Sequence, residues 1–300
     1  MPTQLAHAHV TDPCALCGST SSREVFRFLR PKEISASGRP TESLYGRAGR
    51  LVRCESCGLV RQDSPLDAPY EEAEDPEYLN EEPGLRETFR RNLLEIARHR
   101  PPPGRLLDVG CGPGLLLEEA AALGWTSSGV EPSAWAVEEG RRRGLDILQG
   151  TTDTVDLEPR SLDVVVANDV VEHVPDPLAF GRRLYELLKP GGVVYLCTPD
   201  VSSVVARTLR RWWWSVLPGH LFYFSPATLA RVLETCGFRV LASGRHPKTF
   251  SLEYYAGRLV GYSQRLGRVV RTATKPFGGP RRLVSPNFRD RVAMIAIRDE

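Results

Sequence analysis

Three glycines at alternate positions, Gly110, Gly112 and Gly114, follow an acidic residue, Asp108, where an apolar run gives way to a turn: Leu106-Leu107-Asp108-Val109-Gly110-Cys111-Gly112-Pro113-Gly114. Glycine accepts positive φ and interposes no side chain, so a strand-to-helix turn of this composition lets a ligand lie against the main chain. Seventeen residues after Gly114, a second apolar run ends at Glu131, a carboxylate placed to accept from ribose hydroxyls. The chemistry implied is the holding of a nucleoside cofactor. A dinucleotide fingerprint would put its third glycine at position 115, which is Leu115, so the spacing disfavours a nicotinamide or flavin ligand.

A second set of chemically capable residues lies near the N-terminus. Cys14-Ala15-Leu16-Cys17-Gly18 and Cys54-Glu55-Ser56-Cys57-Gly58 are two C-x-x-C-G knuckles. Each aims two sulfurs at one point, and together they supply the four thiolates that tetrahedral Zn²⁺ prefers. The 36 residues between Cys17 and Cys54 exceed ordinary finger spacing, so a redox dithiol or an iron–sulfur centre stays open beside zinc. Four protein ligands leave no coordination position for chemistry, which makes the expected zinc structural. Cys197 and Cys236 stand alone in apolar surroundings and read as small core residues.

Three further segments could face the cofactor. Asn168 and Asp169 end a β-branched run and lead into Val170-Val171-Glu172-His173-Val174-Pro175-Asp176-Pro177. Gly150-Thr151-Thr152-Asp153 follows a short strand, and His220-Leu221-Phe222-Tyr223-Phe224-Ser225 precedes a helix with Ser225 as N-cap. The glycine run resembles motif I of class I S-adenosylmethionine-dependent methyltransferases. The Glu172-His173-Val174 stretch with Asp176-Pro177 resembles the ubiquinone-pathway O-methyltransferases and their glycan- and natural-product-modifying relatives. The resemblance covers roughly residues 101–300. It implies a Rossmann-like fold with Asp108, Gly110, Cys111, Gly112 and Gly114 along the cofactor and Glu131 on its ribose. It also implies Thr152 and Asp153 at the adenine, and Asn168 and Asp169 beside the methionine part. His173 is then a general base or a loop-orienting residue, and His220 is the other candidate base, with Tyr223 as a possible substrate contact.

The elements that must position these residues alternate. Strands are expected at 105–109, 125–130, 146–149, 162–168, 193–197, 238–241 and 292–297, with helices between them. This is an α/β chain: a seven-stranded, mostly parallel sheet with helices on both faces, the last strand entering antiparallel if the family pattern holds. A small zinc-ribbon-like module over 11–62 precedes it, with strands at 24–29 and 49–53. A linker and helix occupy 63–100, and the methyltransferase-like domain occupies 101–300 with an insert at 250–288. The boundary is Pro101-Pro102-Pro103-Gly104, which ends the helix over 84–99.

The formal charge is +2, too small to imply a nucleic-acid partner, and the Asn-Pro-Pro-Tyr run of base N-methylases is absent. No run of apolar residues is long enough to span a bilayer and the N-terminus lacks a signal-peptide build, so a cytoplasmic protein is expected. Arg210-Arg211-Trp212-Trp213-Trp214 cannot bury all three rings on one helix face. Residues 251–275 repeat apolar positions at helical spacing with Arg258, Arg265, Arg268, Arg271 and Lys275 on other faces. An ordinary surface helix is favoured there over peripheral membrane contact through 251–282. The expected donor is S-adenosyl-L-methionine and the expected acceptor a sugar, glycan, lipid-linked or small natural product methylated on oxygen. The alternatives are C- or N-methylation of such a molecule, or a zinc-bearing interaction protein that binds cofactor without turnover.

Overall fold

The computed structural model describes residues 12–26, 50–63, 69–260, 279 and 281–300. In chain order the elements begin with strands β1 (Ser22–Phe26), β2 (Leu51–Cys54) and β3 (Val60–Gln62), then helices α1 (Pro76–Leu79) and α2 (Glu82–Ala97). The alternating part runs β4 (Arg105–Val109), α3 (Leu115–Ala122), β5 (Thr126–Glu131), α4 (Ala134–Arg142), β6 (Ile147–Gln149), β7 (Leu162–Asn168), α5 (Pro177–Leu187) and β8 (Leu188–Pro199). It continues with α6 (Val204–Leu209), β9 (Phe222–Tyr223), α7 (Pro226–Thr235), β10 (Phe238–Gly244), β11 (Phe250–Ser251), α8 (Leu252–Val260), β12 (Leu283–Val284) and β13 (Arg291–Arg298).

Seven strands form the main sheet in the order β10-β13-β8-β7-β4-β5-β6. The strands from β6 to β8 are parallel, and β13 pairs antiparallel with both β8 and β10. The sheet is central because its strands are apolar on both faces. In β7, Val165 and Ala167 join one apolar cluster with α5 and α7, while Val164 and Val166 join a second with α2 and α3. A strand buried on two sides reads as a continuous β-branched run, which is how Leu162–Asn168 reads. Helix starts follow their caps: the side chains of Ser133, Asp176 and Ser225 accept from the first-turn amides of α4, α5 and α7.

The N-terminal strands do not stand apart. Antiparallel β1, β2 and β3 are joined by β9, so that Val60 faces Tyr223 and Arg61 faces Phe222. Cys14, Leu16, Cys54 and Leu59 share the apolar cluster of α5 and α7. Gln62, the last residue of the expected module, closes β3 and its N–H donates to the Leu221 carbonyl just before β9. The expected strands at 24–29 and 49–53 are seen as Ser22–Phe26 and Leu51–Cys54, with 27–49 outside the described residues. Of the helix expected over 251–275, α8 covers Leu252–Val260, and 261–278 lie outside the described residues. No described helix is long and apolar enough to cross a membrane. Of the three consecutive tryptophans, Trp212 is exposed, Trp213 is buried and donates through Nε1 to Asp290, and Trp214 packs on Phe288.

Candidate active site

From β4 the chain proceeds outward through β5 and β6, and then returns to the other flank of β4 as β7. Loops leaving β4 and β7 therefore diverge, which opens a crevice at the carboxyl ends of these strands. A cavity of about 920 Å³ lies there. Its volume is at the upper end of small-molecule sites.

One end of the cavity is built from main chain. Gly110, Gly112 and Gly114 have φ of 69°, 53° and 84°. Glu131 braces this loop: Oε2 accepts from the Gly112 N–H at 2.8 Å and Oε1 from the Ser133 N–H at 2.9 Å. Burial pushes its carboxyl up, and these two amides pull it back. Asp108 is buried beneath, pushed well above the carboxylate range by desolvation and by the charge of Glu131. Cys111 lines the cavity, and its sulfur fills the space that a side chain at Gly129 would need.

Two expected residues do not reach this end. Gly114 is not part of the lining; it caps α3, and a Cβ there would meet Leu145 Cδ1 at 2.3 Å, so its role is close packing. Asp153 is exposed and outside the lining, because the turn that buries Thr152 points the next side chain outward. Thr152 lines the cavity and its carbonyl accepts from Arg183 Nε.

The middle of the cavity carries the titratable groups. Asn168 and Asp169 line it, Asp169 with a left-handed φ of 54°. Both oxygens of Asp169 are engaged, one by Lys248 Nζ and the other by Arg291 Nη2. Burial would raise this carboxyl, but the two cations hold it well below the usual range. His173 presents Nδ1 to the Gly219 carbonyl at 2.9 Å and to the Tyr70 hydroxyl at 2.6 Å. A carbonyl only accepts, so the partners assign the proton to Nδ1 and leave the Nε2 lone pair available. Burial lowers the His173 pKa, which favours the neutral ring. His220 lies edge-on to it with centroids 4.7 Å apart and is pushed still lower, by burial and by His173. Glu172, 1% exposed, has no partner for either oxygen among the described residues, and burial with the charge of Asp169 pushes it up to about 8. Tyr223 does not contact the cavity; it is core, its hydroxyl donating to the Leu217 carbonyl.

Lys248, Arg291, Tyr70 and Glu172 were not singled out from sequence. Lys248 and Arg291 carry no spacing signal, since they enter from the loop after β10 and from the start of β13. Glu172 adjoins His173, and its burial at the exit of a central strand was the available hint.

The four cysteine sulfurs of the N-terminal strands lie within 4.8 Å of one another. Cys14 Sγ is 3.5 Å from Cys57 Sγ and Cys17 Sγ is 3.6 Å from Cys54 Sγ, each pair drawn from opposite knuckles. A tetrahedron of roughly 2.3 Å Zn–S bonds has edges of about 3.8 Å, so the donor set fits the ion. At Cys54, burial alone would raise the thiol, yet amides of Cys57 and Ser56 bring it down to about 6, whereas burial pushes the Cys14 and Cys57 thiols up.

Known proteins agree with this geometry. The family described as a methyltransferase domain matches residues 82–243, just over half of the 300-residue chain. The ubiquinone biosynthesis O-methyltransferase of Xanthomonas campestris pv. campestris (strain B100) is 39% identical over 109 residues, covering 34% of this chain and 46% of that protein. Its counterpart in Xanthomonas axonopodis pv. citri (strain 306) is 38% identical over 162 residues, covering 48% and 66%. The chain thus spans about half to two thirds of the length of these curated relatives. Among solved structures, a chain of the Haloferax volcanii complex containing the Trm112 methyltransferase activator superposes with TM-score 0.52 at 15% identity, covering 73% of this chain and 94% of its own. The YcgJ protein of Bacillus subtilis gives 0.50 at 16% identity, covering 71% and 99%, and both show the fold alone. The chain belongs to the methyltransferase-domain family.

Proposed function

We propose that this protein moves a methyl group from S-adenosylmethionine to a hydroxyl oxygen of a small-molecule acceptor, within the broad class of sugars, glycans, lipid-linked compounds and natural products. The observation that carries this reading is one cavity with a glycine loop braced by Glu131 at one end and a neutral, oriented imidazole, His173, at its middle. The names of the curated relatives support oxygen as the acceptor atom. The bound donor supplies a sulfonium-activated methyl group. In the transfer an O–C bond forms, the C–S bond breaks, S-adenosylhomocysteine leaves, and the hydroxyl proton passes to a base.

His173 Nε2 is the base in this scheme. Its Nδ1–H is pinned by Gly219, and burial keeps the ring neutral and able to accept. His220 is the weaker candidate because desolvation and the neighbouring ring oppose its charging. Glu131 and the Gly110–Gly112 amides would hold the ribose and the amino-acid end of the donor, Thr152 would face the adenine, and Asn168 would flank the methionine part. Cys14, Cys17, Cys54 and Cys57 would hold a structural zinc ion, which braces the β1–β3 sheet and takes no part in the transfer.

The test is calorimetric titration of purified, zinc-replete protein with S-adenosylhomocysteine, with NADH as a control ligand. Micromolar binding that is lost in Glu131→Ala, with no NADH response, is the expected result. A folded protein that does not bind S-adenosylhomocysteine overturns the proposal.

A further inference from the structure

The end of the cavity away from the glycine loop is basic and aromatic, and this composition bears on the acceptor. Lys248 and Arg291 both grip Asp169, so two cations share one buried carboxylate. Arg245 and Arg289 also line this end, with Asp290 in the lining and Asp200 behind Arg245 at 3.5 Å. Four cations thus meet three carboxylates among these described residues, one of which, Asp290, also accepts from Trp213. Glu172 next to them does not offset the excess while it holds its proton. Arg291 Nε is buried with no acceptor among the described residues. Arg245 and Arg289 are exposed, so the uncompensated charge inside the cavity is that of Lys248 and Arg291 on their single carboxylate. A sheltered cation in excess is costly unless an anion meets it.

The wall beside these cations is a run of rings. Phe250 stacks on Tyr254 with centroids 3.9 Å apart, Tyr255 meets Phe288 edge-on at 6.4 Å, and Phe288 reaches Trp214 at 5.2 Å. Lys248 Nζ lies 5.9 Å from the Phe250 centroid, so the charge stands where the ring wall meets the exit of β7. Charge and wall therefore present themselves to one ligand.

We propose that this end is an oxyanion subsite: the acceptor carries a carboxylate or phosphate that pairs with Lys248 and Arg291, while an aromatic or otherwise apolar body lies on the Phe250–Tyr254–Tyr255–Phe288 wall. Asp169 pre-positions both cations and shares them with the incoming anion. The inference rests on the donor reading of the glycine-loop end given above. The same oxyanion chemistry has a second source, the carboxylate at the amino-acid end of the donor, and the experiment separates the two.

Protein saturated with S-adenosylhomocysteine is titrated with phenyl phosphate, benzoate and neutral benzyl alcohol, read by tryptophan fluorescence and calorimetry. Both anions bind and benzyl alcohol binds at least about tenfold more weakly, the size of one charge-assisted hydrogen bond. Lys248→Gln weakens the anions by about tenfold, while Lys248→Arg, which keeps the charge, stays within about threefold of wild type. The S-adenosylhomocysteine affinity of both variants is unchanged, which also reports that they fold. Anions that bind no better than benzyl alcohol overturn the subsite. Loss of S-adenosylhomocysteine affinity in Lys248→Gln, with Lys248→Arg restoring it, assigns the charge to the donor and overturns it as well. Wild-type protein that fails to bind S-adenosylhomocysteine at all fails the donor reading instead, and that result is visible before any anion is added.

Discussion

Gln62 offers the sharpest test of how the cysteine-bearing strands act on the cavity. It is 2% exposed, and its side-chain Nε2 donates to the carbonyls of Leu217, Pro218 and His220 at 3.0, 2.9 and 2.6 Å. Its backbone N–H adds a bond to the Leu221 carbonyl at 2.8 Å. The loop held in this way contains Gly219, whose carbonyl orients His173. Gln62→Leu keeps the side-chain volume and the backbone bond but removes both amide hydrogens and the donor to the Pro218 and His220 carbonyls, while the Leu217 carbonyl keeps the Tyr223 hydroxyl. With roughly 1 kcal/mol net for each hydrogen bond lost, and more for acceptors left buried, the substitution costs about 2–3 kcal/mol. In a protein of this size that is a fall of about 3–5 °C in melting temperature. A loosened loop admits water to His173. Burial is the dominant influence lowering this histidine, so its titration moves up toward the ordinary 6.5. Methyl transfer falls by about tenfold, the equivalent of some 1.4 kcal/mol lost from positioning. Donor affinity stays within about twofold, because Glu131 and the glycine loop lie at the other end of the cavity. The measurements are a thermal melt, a histidine NMR titration and S-adenosylhomocysteine calorimetry on one variant. An unchanged melt with an unchanged His173 titration would refute the clamp, and a large loss of donor affinity would refute the separation of the two ends.

Three other perturbations follow from the same geometry. Purified protein should contain one zinc per chain by elemental analysis, and Cys54→Ser should lower both zinc content and melting temperature; metal-free protein of undiminished stability would sink the zinc assignment. Gly114→Ala, forced to a φ of 84° with Leu145 Cδ1 at 2.3 Å, should lose about 2–4 kcal/mol in urea melts. Gly112→Ala, with open space above it, should lose only about 1 kcal/mol but should weaken S-adenosylhomocysteine; equal stability losses would contradict the distinction between packing and ligand glycines. Glu172 titrates near 8 when folded against an ordinary 4.5, so between these pH values the folded state keeps a proton that the unfolded chain has released. Stability from this group therefore declines as pH rises through that window, and Glu172→Gln should flatten the decline in melts taken from pH 5 to 9. A slope identical to wild type would show that the carboxyl is hydrated or partnered.

The two halves of the cavity differ in how far they can be read from sequence, and the cause is the kind of group that builds each. The donor half is made by main chain at a strand-to-helix turn, so its signal is local: Asp108, the three glycines and Glu131 fall within two adjacent β-α units, and their spacing alone distinguishes them from a dinucleotide site. Even there the sequence does not show that Gly114 packs on Leu145 or that Asp153 is exposed, because whether a residue faces a cavity or the core depends on neighbours that spacing does not encode. The two-residue β9 exists only through a partner some 160 residues earlier in the chain, and so it carries no periodicity of its own. The basic half is assembled from side chains brought by the β7 exit, the loop after β10, α8 and the start of β13. No pattern links Asp169 to Lys248 and Arg291, 79 and 122 residues away. The ambiguity over His173 has the same origin: base and loop-orienting residue are indistinguishable in a Glu-His-Val run. Only the tertiary structure supplies the Gly219 carbonyl that takes the Nδ1 proton and, in the proposed scheme, leaves Nε2 to act as the base. Local chemistry therefore announces the glycine-loop end of the cavity, whereas the basic end is written in tertiary contacts, and charge variants of Lys248 probe its proposed role more directly than any further motif.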